Sequence, residues 1–242
     1  MTATSISPAG ASPASAAPPR IGHAIAVGAA GFAWCSLALG LSTVGAMNAA
    51  GSSVILTGTF FYGGIVQLIA GFFALAAGTT FIAAFLTAYG AFWLGYTAIQ
   101  VYVAPHIAAQ VMSAGSGTGA SKQALAGQAG HAVVQALGVF LIGWLVVTVI
   151  FTIASLGTNS VTLTAFCLLD LTIVLLTVSY LGASSAGVPV SSALHAAGWA
   201  EIVLAAVAFY IVLAELANDT LRRTVFPLFP LTRFSAPAAL SA

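Results

Sequence analysis

From Ala132 to Ser155 the chain reads AVVQALGVFLIGWLVVTVIFTIAS, twenty-four residues without one formal charge. Wound as a helix at about 1.5 Å per residue, such a run reaches about 36 Å, enough to cross a hydrocarbon core about 30 Å thick. Its apolar residues are continuous rather than alternating with polar ones. That favours a helix, whose backbone hydrogen bonds close within the segment, over a barrel strand. The solvent of this stretch is lipid.

The same texture recurs over 22–45, 53–77, 80–104, 160–182 and 192–217, which makes six crossings in all. Of the 242 residues only 4% are charged and 60% are hydrophobic, and the mean hydropathy is +1.09. A soluble domain carries about a quarter charged residues, so the composition excludes one. The expected fold is an all-α membrane protein, a six-transmembrane-helix bundle over 21–220. Residues 1–20, rich in Ala, Ser and Pro, read as a disordered tail, and 221–242 as a C-terminal tail. Arg20 comes late, and the apolar run after it is too long for a signal peptide, so the run reads as the first membrane helix.

The charge pattern orients the bundle. Arg20 precedes the first span and Arg222, Arg223 and Arg233 follow the last, while Lys122 stands alone in the loop after the third. With an even number of spans, the positive-inside rule puts both termini in the cytoplasm. A formal net charge of +1 with no cluster of Lys and Arg excludes a nucleic-acid partner. Cys35 and Cys167 lie inside apolar runs and read as small buried hydrophobes. His23, His106 and His131 are too scattered for a metal site. No paired nucleophile and base and no phosphate loop occurs at workable spacing, so neither an enzyme nor a cofactor is expected.

The 105–130 connection, rich in Gly, Ser, Gln and Ala, reads as a mobile outer segment with at most a short helix. Gly64, Gly71 and Gly78 recur every seven residues on one face of the second span, where a glycine lets another backbone approach closely. Asp170 and Glu201 lie within spans, where an ionisable group costs several kcal/mol and needs a reason. Two readings stand: a carboxyl bonded to a Ser or Thr hydroxyl or to a neighbouring subunit, or a proton-handling group beside a solute path. His195, opening the sixth span, is a structural residue or a third such group. Glu215 and Asp219, one turn apart near Arg222 and Arg223, read as an ion-pair network anchoring the helix end. No Lys or Arg lies within any span, so an anion crossing here meets only hydroxyl, amide or backbone donors. Such weak binding favours flux.

The run FFYGGIVQLIAGFF from Phe60 to Phe73, continuing through TFIAAFLTAYGAFW to Trp93, closely resembles the second and third helices of the acetate uptake transporter family. HAAGWAEIVLAAVAFYIVLAELANDTLRRTVFP, from His195 to Pro227, resembles that family's last helix and tail. The resemblance implies a six-helix protomer in the plasma membrane, assembly as a homohexamer, and a path for small carboxylates such as acetate through each protomer. It implies a constriction formed by Phe32, Tyr89 and Leu169, with Ala208 helping to set substrate size. Thr43, Tyr62, Gln67 and Thr87 are the expected polar lining.

One departure stands out. The family's Asn-Pro-Ala-Pro-Leu-Gly-Leu opening of the first helix appears here as His23 to Ala29, keeping only Gly28. The function expected is transport of small monocarboxylates, with acetate first and succinate as a further substrate, coupled to protons or not. The rival is a sensor or scaffold that keeps the fold without transport.

Overall fold

The structure, a computed structural model, describes residues 22–48 and 51–231. Six helices are long and apolar enough to cross a membrane: α1 (Ala24–Thr43), α2 (Gly51–Ala76), α3 (Thr80–Gly115), α4 (Lys122–Ser155), α5 (Ser160–Leu181) and α6 (Ser191–Leu221). No strand occurs among the described residues. The expected tail over 1–20 lies outside them, as does 232–242.

Helix α1 packs on α6, α6 on α5, α5 on α4, and α3 on both α1 and α4. Five helices thereby close a ring, and α2 lies outside it against α1 and α3. Close packing at the α1–α2 and α2–α3 contacts depends on glycine. A Cβ on Gly31 would lie 2.5 Å from the backbone oxygen of Tyr62, and one on Gly71 would lie 2.8 Å from the backbone nitrogen of Thr87. Gly64 likewise faces Leu94. Gly78 is different: it ends the α2–α3 turn at φ +75°, with nothing near its Cβ position, so the seven-residue glycine spacing reflects packing at two positions and a left-handed turn at the third.

Two helices widen locally. Thr59–Val66 in α2 and Ile99–Val103 in α3 take the π register. In α3 the widened turn comes just before Pro105, which has no N–H for the Val101 carbonyl, and the helix continues past it. The expected outer loop is therefore mostly helix. α3 runs to Gly115 and α4 begins at Lys122, where Ser121 caps it by accepting from the Ala124 N–H at 3.2 Å. Ala, Gln and Leu in 104–131 are good helix formers, and Leu125 packs onto Gly115 to join the two helix ends.

The start of α1 and the end of α6 meet at one face, where His23 Nδ1 lies 3.2 Å from Glu215 Oε2. Glu215 thus pairs across helices rather than with Arg222, which lies 3.3 Å from Asp219. The described part of the C-terminal tail is held against this same face. Asn218 Oδ1 accepts from the backbone N–H groups of Val225 and Phe226, at 2.7 and 3.0 Å, and the Leu231 N–H donates to the Thr158 carbonyl in the α4–α5 turn at 3.0 Å.

Candidate functional site

Phe32 of α1 and Tyr89 of α3 meet edge to face inside the ring, with centroids 5.4 Å apart and planes at 87°. Both are almost fully buried. Their position follows from one-turn spacings along α3, where Phe85, Tyr89 and Phe92 point inward in succession. Tyr89 lies 5.4 Å from the Phe85 ring and 5.8 Å from the Phe92 ring.

Two cavities flank this point. One, called inner after the expected orientation, is lined by Ile25, Ala29, Phe32, Phe85, Phe166, Leu169 and Ala208, among others, and Thr162 is its one polar side chain. The outer one is lined by Leu39, Thr43, Phe92, Tyr96, Leu176 and Tyr180, with parts of α4. Each has about 40 Å³ of free volume, room for on the order of three waters. Every helix of the ring that reaches both cavities passes the same level between them: Phe32 then Leu39 on α1, Phe85 then Phe92 on α3, Leu169 then Leu176 on α5. Between the cavities stand Tyr89 and the buried Ile173. The interior is thus two chambers in line with an aromatic stopper between them, closed in this conformation.

Of the expected lining, Thr43 faces the outer chamber and Ala208 the inner one. Tyr62, Gln67 and Thr87 do not line either chamber. Because α2 lies outside the ring, Tyr62 is 37% exposed on its outer side. Gln67 is fully buried, and neither its Nε2 nor its Oε1 has a hydrogen-bond partner. Thr87 donates to the Ala83 carbonyl at 2.8 Å at the α2–α3 contact. Trp93 is fully buried in the core, while Tyr102 is 72% exposed.

The ionisable groups lie off the axis. Asp170 turns toward α4, where its Oδ2 accepts from the Thr152 hydroxyl at 2.6 Å and its buried Oδ1 has no partner. Glu201 is buried, with an unpartnered Oε2, within electrostatic range of Cys35, Tyr96 and Tyr180. His195 is exposed and lines neither chamber. No three His, Cys, Asp or Glu side chains gather into a metal-sized cluster among the described residues.

Sequence reading missed Thr148. It is fully buried on α4 and hydrogen-bonded to the Tyr89 hydroxyl. The one available signal was the spacing Thr148, Thr152, Ser155, a column of hydroxyls in the otherwise apolar run 136–155.

Comparison with known proteins places this geometry. The GPR1/FUN34/yaaH family profile matches residues 6–233. The chain is 29% identical over 204 residues to acetate permease A of Emericella nidulans, covering 84% of this chain and 64% of that protein's length. It is 28% identical over 209 residues to the succinate-acetate/proton symporter SatP of Escherichia coli K12, covering 86% of this chain and 96% of the relative. A solved structure of the bacterial acetate channel SatP superposes with a TM-score of 0.66 at 27% identity, over 86% of this chain and 99% of that one.

Proposed function

This chain belongs to the GPR1/FUN34/yaaH family, and from that premise we propose that each protomer carries small monocarboxylates, acetate first, across the bilayer through its own helix ring. The observation that carries the reading is the pair of chambers in line, parted by the Phe32–Tyr89 stopper beside Leu169. The small chambers suit a solute of a few heavy atoms. Their walls hold no cation, so a carboxylate is held by hydroxyls and released readily. Tyr96 and Tyr180 supply those hydroxyls in the outer chamber and Thr162 in the inner one, while the Thr43 hydroxyl donates to the Leu39 carbonyl at 2.8 Å.

The finer parts of the reading follow. Both termini lie in the cytoplasm on this reading, because Arg222 and Arg223 stand at the face where α1 begins and α6 ends. The outward Phe60, Phe61, Phe72 and Phe73 of α2 suit lipid or a neighbouring protomer in a hexamer of the plasma membrane.

Purified protein in liposomes is expected to take up labelled acetate saturably, with competition by propionate. Uptake no faster than in protein-free vesicles would overturn the reading in favour of a sensor or scaffold. Proton coupling rests on Asp170, one helix position from Leu169 and bonded through Thr152 to α4. Asp170→Asn keeps the shape and the Thr152 contact but cannot release a proton, so uptake in this variant is expected to lose its rise at acid pH. An unchanged pH profile removes Asp170 from that role.

A further inference from the structure

Proton bookkeeping at the stopper assigns a role to a residue outside the constriction. Thr148 has one hydroxyl hydrogen, and it is donated to the Trp144 carbonyl one turn back on α4, at 2.8 Å. Its Oγ1 is also bonded to the Tyr89 hydroxyl. We take that hydrogen to stay on the Trp144 carbonyl, which makes Tyr89 the donor of the second bond. The phenol proton is therefore turned onto α4 and away from the axis between the chambers. Both side chains are buried, at 1% and 0% exposure, so no water competes for the bond.

A carboxylate between the chambers can only accept hydrogen bonds. The Tyr89 hydroxyl stands at that level, and Trp93 Nε1, whose ring packs on Phe32 at 6.3 Å, has no partner. We propose that Thr148 is the positioning residue of the stopper: it holds the Tyr89 phenol proton on α4, and a carboxylate passes by taking that hydrogen bond over. The contact between α4 and α3 thereby sets how tightly the anion is held at the narrowest level. This inference rests on the transport reading above and deepens it.

The test is saturable acetate uptake by reconstituted full-length protein carrying Thr148→Val, Thr148→Ser and Tyr89→Phe, singly and combined. Valine keeps the shape of threonine and removes the competing acceptor. A buried neutral hydrogen bond is modest in net worth, so the half-saturating acetate concentration of Thr148→Val is expected to fall by about threefold to tenfold. Thr148→Ser, which keeps the oxygen, restores the wild-type value. Tyr89→Phe raises the half-saturating concentration, and in that background Thr148→Val has no further effect.

The inference is overturned by an unchanged half-saturating concentration in Thr148→Val, or by the same change with and without the Tyr89 hydroxyl. Should the valine variant fail to assemble, Tyr89→Phe decides alone, because an unaltered half-saturation there means the phenol never bonds the anion. Saturable uptake by the wild type with any of these negative results sinks the Thr148 role and leaves the transport reading standing. No uptake by the wild type sinks the transport reading itself.

Discussion

Phe32→Ala is expected to erase most of the discrimination between acetate and longer monocarboxylates. The Phe32 ring touches those of Phe85, Tyr89 and Trp93, at centroid distances of 5.6, 5.4 and 6.3 Å, and it faces the inner chamber beside Leu169. Removing it joins the space beneath Tyr89 to that chamber. One methylene judged by a close-fitting apolar site is worth about 1–3 kcal/mol, or about 10- to 200-fold. The ratio of acetate to butyrate uptake should therefore fall by at least about tenfold, because the wall that rejects the longer chain is gone. Truncating a buried Phe also costs about 3–5 kcal/mol of stability. Phe32→Leu, which keeps most of the volume, is the companion variant and should show a smaller change in the same direction. Both variants are compared at equal amounts of folded protein by size-exclusion profile before flux is measured. A properly assembled Phe32→Ala protein with wild-type selectivity would mean the narrow point lies elsewhere.

The second large effect is on assembly. Gly31→Val should leave almost no monodisperse protein after extraction. A Cβ at Gly31 would lie 2.5 Å from the Tyr62 carbonyl oxygen and 3.4 Å from the Gly63 Cα, and both of these are backbone. No rotamer change relieves such a contact, so α1 and α2 must separate. Tyr62 sits in the π stretch of α2, and its carbonyl already accepts from the Gln67 N–H five residues on. Separation exposes the buried Gln67 and the pocket of Cys35 and Trp93 beside Gly63. In lipid no hydrophobic drive restores the lost contact, since helix association there depends on close packing. The control is Gly143→Val, whose Cβ would meet nothing within 4 Å. It should extract and migrate like the wild type. Equal behaviour of the two variants would mean that the α1–α2 contact does not hold the bundle.

Part of the candidate site's geometry was legible beforehand. Phe32 and Tyr89 do meet, and Leu169 lies with Phe32 around one chamber. Those three positions came from the resemblance, because the spans themselves carry no inward or outward signal. Tyr62 and Tyr89 look alike in the chain, each a hydroxyl among apolar neighbours. One turned out to face outward and the other to stand between the chambers, because α2 is excluded from the ring and α3 is part of it. Gln67 shows the same limit: it is buried as expected of a polar group in a span, yet against α1 and α3 rather than beside the path.

The Thr148–Tyr89 bond was beyond reach for a related reason. Its partners are 59 residues apart on two helices, and nothing in either span marks which hydroxyl faces the other. The 105–130 segment failed differently. Its small polar residues suggested a loop, but the π turn at Ile99–Val103 carries α3 past Pro105, and the Leu125 contact with Gly115 orders both helix ends.

The chain alone settles that there are six helices long and apolar enough to cross, because the bilayer reads hydrophobicity one residue after another and forces every buried amide to bond within its own segment. Only the packed bundle decides which faces meet. Apolar residues surround each span on all sides, so lipid and interior look the same to composition, and the choice falls to glycine contacts such as Gly31 against Tyr62 and to pairs such as Tyr89 with Thr148.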